Sequence, residues 1–120
     1  MANVEEIDKA IGAYGAWKAR LKSTIASGKT EIPVTAIRVD NECAFGKWLY
    51  GQTLTASDKA TPDYRTVKDL HAQFHKVAGR VAESAVAGKK DEAERLLAGE
   101  FGTTSVKLTA AMMLWKKISK

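Results

Sequence analysis

The chain has 120 residues, of which 45% are hydrophobic and 28% charged, with nine Gly and two Pro. This composition is typical of a folded domain and excludes a disordered tail, a collagen-like repeat and a low-complexity linker. The formal net charge is +5, and the single cysteine cannot form an internal disulfide. We therefore expect one domain over residues 1–120 and a reducing, cytoplasmic location.

The distribution of charge argues against membrane insertion and nucleic-acid binding. The longest uncharged stretch, 48–57, is about half the length of a bilayer span, and acidic residues near the N-terminus are unlike the basic start of a signal peptide. Basic residues alternate with acidic ones along the chain. The one local cluster, Lys116, Lys117 and Lys120, is the usual complement to the dipole of a C-terminal helix.

The first predicted element is a long amphipathic helix from about Asn3 to Ala26. It is indicated by apolar residues at three- and four-residue spacing: Val4, Ile7, Ile11, Tyr14, Leu21 and Ile25. Gly28 is a stop signal, and Pro33 with its β-branched neighbours predicts an extended connection of about a dozen residues. Loops of this length in small domains are often functional.

The second predicted helix is short and carries the cysteine. Asp40 or Asn41 can cap it, which places Glu42 and Cys43 in its first turn, and Gly51 ends it.

Two further long helices follow. The third begins with Thr61 as cap and Pro62 at the first helical position, and runs to about Ala87. The fourth begins near Lys90 or Asp91 and continues to the C-terminal region, with Gly102 loosening its middle. Nothing predicts strands, so the expected fold is all-α, a four-helix bundle with three long helices and one short helix carrying the cysteine.

Two histidines and the cysteine are the residues best suited to bind a metal. His71 and His75 are the only histidines, and their four-residue spacing places both rings on one helical face. The predicted position of Cys43 in a first turn favours its thiolate. One thiolate and two imidazoles suit Zn²⁺ better than Mg²⁺ or Ca²⁺. The alternative is that Cys43 is a small buried hydrophobic residue and that the histidines lie at the edge of the core.

These segments resemble one known family. Residues 42–51, Glu-Cys-Ala-Phe-Gly-Lys-Trp-Leu-Tyr-Gly, resemble the cysteine signature of the chemoreceptor zinc-binding domain, and residues 64–75 are similar to its paired-histidine helix. The resemblance extends over nearly the whole chain. It implies a four-helix bundle, usually a homodimer, that binds one zinc per chain through three histidines and one cysteine and regulates bacterial chemoreceptors and diguanylate cyclases.

The sequence departs from the family pattern at Tyr14, which stands where the first-helix histidine should be, three residues before Trp17. Cys43, His71 and His75 match family ligands, and Tyr14 matches only by position. Three outcomes are open. Zinc binds through three protein ligands with water in the fourth place, Tyr14 binds as a phenolate, or the site has lost its metal.

The sequence supports three functional hypotheses. The main one is a non-enzymatic zinc-binding sensory domain, whose thiolate responds to oxidant or zinc level and whose partners are a second copy and a signalling output domain or partner protein. The second is a metal-free helical dimerisation domain. The third is a hydrolase in which Glu42 or Asp40 acts as general base beside an open zinc ion.

Overall fold

The computed structural model describes residues 4–30, 32–41 and 43–119, and within these ranges it is helical without strands. The helices in chain order are α1 (Val4–Gly15), α2 (Trp17–Ser27), α3 (Val34–Ile37), α4 (Ala44–Tyr50), α5 (Ala56–Lys59), α6 (Pro62–Val86), α7 (Lys90–Leu96) and α8 (Gly102–Ile118). A π-helical segment, Leu97–Phe101, joins α7 to α8. The all-α class is confirmed, and the four-helix bundle arrangement stays a prediction.

The predicted first helix is two consecutive helices. A single turn residue, Ala16, separates α1 from α2, and its N–H bonds to the carbonyls of Gly12 and Ala13. Two glycines in the last turn of α1 weaken the helix there, which accounts for the interruption. The predicted start at Asn3 lies outside the described residues. Four residues of the predicted apolar face are buried, namely Ile7, Tyr14, Leu21 and Ile25, whereas Val4 and Ile11 are only partly buried. Ala10 and Trp17 are buried on the same helices.

The longest helix, α6, is the central element of the fold. The hydroxyl of Thr61 caps it by accepting a hydrogen bond from the Tyr64 N–H, and Pro62 occupies the first position, as the sequence predicts. It packs against α2, α3, α7 and α8. Because neighbours surround it, buried side chains recur along its whole length, and these include both histidines.

The fourth predicted helix is not a regular α-helix throughout. The π-helical segment ends at Phe101, and α8 begins at Gly102, the residue expected to loosen this helix. Phe101 and Met112 are buried, whereas Met113 is 57% exposed. No helix in the described ranges is both long enough and apolar enough to cross a bilayer.

The region between α2 and α6 differs from prediction in three places. The long connection contains α3, and α5 forms after Thr55, whose side chain makes a capping box with Asp58. Cys43 is not in the first turn of α4 but is its N-cap, and Sγ accepts a hydrogen bond from the Gly46 N–H. The physical reason is that an N-cap needs only a side-chain acceptor at extended backbone geometry, which the sulfur provides.

Candidate metal centre

Four side chains from three helical segments meet at one point inside the domain. Tyr14 comes from α1, Cys43 from the start of α4, and His71 and His75 from adjacent turns of α6. Tyr14 and both histidines are at most 3% exposed, and Cys43 is partly buried. The structure therefore brings together all four residues that the sequence singled out.

The four donor atoms lie at the corners of a small tetrahedron. Tyr14 Oη is 2.6 Å from His71 Nε2, 2.9 Å from Cys43 Sγ and 3.3 Å from His75 Nε2. The sulfur is 3.4 Å and 3.5 Å from the two nitrogens, which are 3.0 Å apart. Because these six distances are so similar, the four atoms cannot lie in one plane. They therefore surround a common centre.

This donor group is slightly smaller than a tetrahedral zinc site. Zinc with Zn–N and Zn–O bonds of about 2.0–2.1 Å and a Zn–S bond of about 2.3 Å separates its ligands by about 3.3–3.6 Å. Three of the six observed distances lie in this range. The other three are shorter, and the shortest would need to lengthen by about 0.7 Å. Among the described residues, Cys43, His71 and His75 form a group of side chains that could hold a metal ion.

Aromatic rings enclose the donor atoms. The ring of Tyr14 makes edge contacts with Phe74 at 4.9 Å and Phe45 at 6.0 Å between centroids. Trp17 makes an edge contact with His75 at 6.3 Å. These contacts fix the plane of Tyr14, so its hydroxyl is positioned by packing and not only by the hydrogen bonds that it makes.

The two histidines have different outer partners. His75 Nδ1 donates a hydrogen bond of 2.9 Å to the carbonyl oxygen of Ile37, at the end of α3. A neutral ring with its proton on Nδ1 presents a lone pair at Nε2, the form that binds a metal. His71 Nδ1 is buried and has no hydrogen-bond partner among the described residues. The ring of His75 is thus held by polar contacts of both nitrogens, whereas the ring of His71 has such contacts only at Nε2 within the described part of the chain.

The environment of Cys43 favours its thiolate. Burial raises the pKa of the thiol, but contacts of Sγ with His71 and His75 lower the pKa. The hydroxyl of Tyr14 and the N–H of Gly46 add to this effect, so the pKa falls to about 5. A thiolate at neutral pH is the form that binds metals and reacts with oxidants.

The environment of Tyr14 favours its neutral phenol. Burial raises the pKa of its phenol far above the ordinary value, and the negative charges of Cys43 and Asp40 raise it further. In the metal-free chain the phenol is therefore neutral and able to donate a hydrogen bond to the thiolate or to a histidine nitrogen. Only a cation among the donor atoms would reverse this preference.

The segment that connects α3 to Cys43 lies close against two glycines. A Cβ atom at Gly79 of α6 would be 2.7 Å from Cβ of Arg38, and one at Gly46 of α4 would be 1.8 Å from the carbonyl oxygen of Asp40. Both approaches require the absence of a side chain. The segment therefore packs directly against α4 and α6. It connects Ile37, whose carbonyl oxygen bonds to His75, with Cys43.

Of the two carboxylates considered as general bases, Asp40 is not part of the donor group. The side chain of Asp40 accepts a hydrogen bond from the hydroxyl of Tyr50, and Glu42 lies outside the described residues. The hydrolase hypothesis therefore gains no support from Asp40.

A helical domain in which one cysteine and two histidines meet between separate helices belongs to the class of proteins with a candidate interhelical metal centre. The family model of the chemoreceptor zinc-binding domain matches residues 15–82, more than half of the chain, and the matched range includes Cys43, His71 and His75. The chain therefore belongs to the chemoreceptor zinc-binding domain family. The match begins one residue after Tyr14. No curated protein and no solved structure matches the chain.

Two contributors to the site were not predicted from the sequence. The carbonyl of Ile37 carries no signal in the sequence, because every residue has a carbonyl group. Gly46 lies inside the quoted cysteine signature, and its position three residues after Cys43 could have suggested a close backbone contact.

Proposed function

We propose that the chain is a zinc-binding regulatory domain in which Cys43, His71 and His75 are metal ligands. The observation that carries this proposal is the convergence of one sulfur and two Nε2 atoms within 3.5 Å of one another. One thiolate and two imidazoles are a ligand set that suits zinc. Bound there, zinc would supply a positive charge that holds the thiolate and links separate parts of the fold.

The regulatory role follows from which helices the ligands connect. His71 and His75 lie on α6, which is buried along its length, whereas Cys43 begins α4, a helix of seven residues. A helix this short depends on tertiary contacts for its stability. Loss of zinc, by chelation or by oxidation of the thiolate, would release the start of α4 from α6. That displacement is a signal that a cytoplasmic output domain or partner protein can read, with no catalysis by this chain.

A second copy of the chain is the partner that we propose first. Four large apolar side chains on α8 are at least half exposed: Val106, Met113, Leu114 and Ile118. Val106, Leu114 and Ile118 are separated by multiples of four residues, so they form one stripe along the helix. A homodimer that packs these stripes together would remove them from water.

Zinc content and thermal stability test the proposed function. The chain purified without added metal should contain one zinc, and a chelator should lower its melting temperature, because a ligand that binds only the folded state stabilises it. Cys43→Ser keeps an N-cap oxygen but removes the sulfur, so it should lose zinc while keeping α4. His71→Ala should bind zinc more weakly. A chain that contains no zinc and melts at the same temperature with chelator would refute the assignment.

A metal-free dimerisation domain is the second candidate, and one observation favours it. The four donor atoms already make hydrogen bonds with one another, so the cluster is stable as a polar network without a metal. In that case chelator would change neither the melting temperature nor the mass of the dimer.

A further inference from the structure

We infer that Tyr14 is the fourth zinc ligand, bound as a phenolate, and that it closes the site to water. This inference rests on the proposed function and concerns the one donor that departs from the family pattern. Its basis is geometric. Of the four corners of the donor tetrahedron, three belong to Cys43, His71 and His75, and the fourth holds Tyr14 Oη, at 2.6–3.3 Å from the others.

The hydroxyl occupies the place that an open site would leave for water. A zinc ion with three protein ligands takes its water at the remaining tetrahedral corner. Tyr14 is 3% exposed, and its ring is held by edge contacts with Phe74 and Phe45. For water to enter, this packed ring would have to move away from the centre, with the loss of those contacts.

Charge also favours the phenolate. The net charge of the centre would be zero, because the thiolate and the phenolate together balance Zn²⁺ and the two imidazoles are neutral. A water ligand, or a neutral phenol, would leave one uncompensated positive charge on a centre enclosed by aromatic rings, and burying such a charge is costly. Binding breaks the O–H bond of Tyr14 and forms the metal–oxygen bond, and the proton leaves to the solvent buffer.

A zinc ion with four protein ligands has a different role from one that keeps a position open for water. With no exchangeable position, zinc cannot activate water or bind a small ligand directly, so its role is to hold α1, α4 and α6 together. Tyr14 extends the metal tether to α1, which Cys43 and the two histidines do not reach. Zinc occupancy would thus control the packing of the N-terminal helix as well as that of α4.

Ultraviolet difference spectroscopy during titration with zinc chloride tests the inference. Ionised tyrosine has its own absorption, so the wild-type chain should gain one tyrosinate signal for each zinc bound. Tyr64→Phe is the matched control, because Tyr64 is also buried but its hydroxyl bonds to the carbonyl of Leu49. This control should retain the signal, whereas Tyr14→Phe should lose it and bind zinc at least about tenfold more weakly.

The variant Tyr14→His keeps a metal-binding side chain at the fourth position but removes the phenol. This variant should bind one zinc at least as tightly as Tyr14→Phe, with no tyrosinate signal. Zinc binding to the wild-type chain without a tyrosinate signal would overturn the inference but leave the proposed function standing. Equal zinc affinity of the wild-type chain and Tyr14→Phe would do the same. A wild-type chain that binds no zinc would instead refute the proposed function itself. The wild-type spectrum needs no variant, so the test holds even where a substitution prevents folding.

Discussion

The Nδ1 atom of His75 donates a hydrogen bond of 2.9 Å to the carbonyl oxygen of Ile37, a residue 38 positions earlier in the chain. This bond joins the end of α3 to the centre of α6 and leaves Nε2 of the same ring directed toward Tyr14, His71 and Cys43. The connection between α2 and α4 is therefore part of the candidate metal centre.

His75→Ala should weaken zinc binding more than His71→Ala. His75 is already oriented by Ile37, whereas metal binding through Nε2 of His71 leaves the proton on Nδ1, which has no hydrogen-bond partner among the described residues. An unsatisfied buried N–H costs about 1–3 kcal/mol, so the two affinities should differ by about fivefold or more. Competition titrations with a chromophoric chelator measure this difference. Equal losses in the two variants would contradict the asymmetry.

Gly46→Ala should destabilise the domain and weaken metal binding. Its Cβ would be 1.8 Å from the carbonyl oxygen of Asp40, so the segment before Cys43 would have to move away from α4. Overpacking of this kind costs about 1–3 kcal/mol. Thermal melts and zinc titrations measure the two effects. Gly12→Ala is the matched control, because nothing lies within 4 Å of a Cβ at that helical position. Equal behaviour of the two variants would show that the close approach is unimportant.

The thiol of metal-free Cys43 should titrate with a midpoint near pH 5. The pKa is about 5 in the folded chain against an ordinary value of 9.0, so between these values the unfolded chain binds a proton that the folded chain does not. Stability therefore rises with pH across this window and is lost as pH falls through about 5. Thiolate absorbance gives the midpoint, and Cys43→Ser should lose both effects. A midpoint near 8 or above would contradict the environment described for the sulfur.

Leu114→Glu should convert a dimer into a monomer. Leu114 is 57% exposed in the apolar stripe of α8, and a buried carboxylate at the centre of an interface lacks a partner there. Light scattering measures the mass. Thr66→Glu adds the same charge at an exposed position of α6 and should leave the mass unchanged. A wild-type chain that is monomeric at high concentration, or a Leu114→Glu variant that remains dimeric, would refute this interface.

The sequence by itself determined the helical class and singled out the four residues that the structure brings together. Apolar spacing on α6 and its cap at Thr61 are local features, and local geometry alone places His71 and His75 one turn apart. The cysteine signature and the paired histidines also identified the family, which the match over residues 15–82 confirms. The interruption at Ala16 was not predicted, because the apolar spacing continues past the two glycines that weaken the end of α1. The helix α3 was not predicted, because four residues are too few to show a helical period.

Only the tertiary structure decided how the donors meet. Cys43 is 28 residues from His71, and Tyr14 is 57 residues from it, so no local pattern could state their separation. The distances depend on how α1, α4 and α6 pack, which is set by the core as a whole. The same packing supplied the carbonyl of Ile37 to His75 and brought the Tyr14 hydroxyl, whose role the sequence left open, to the fourth corner of the donor group.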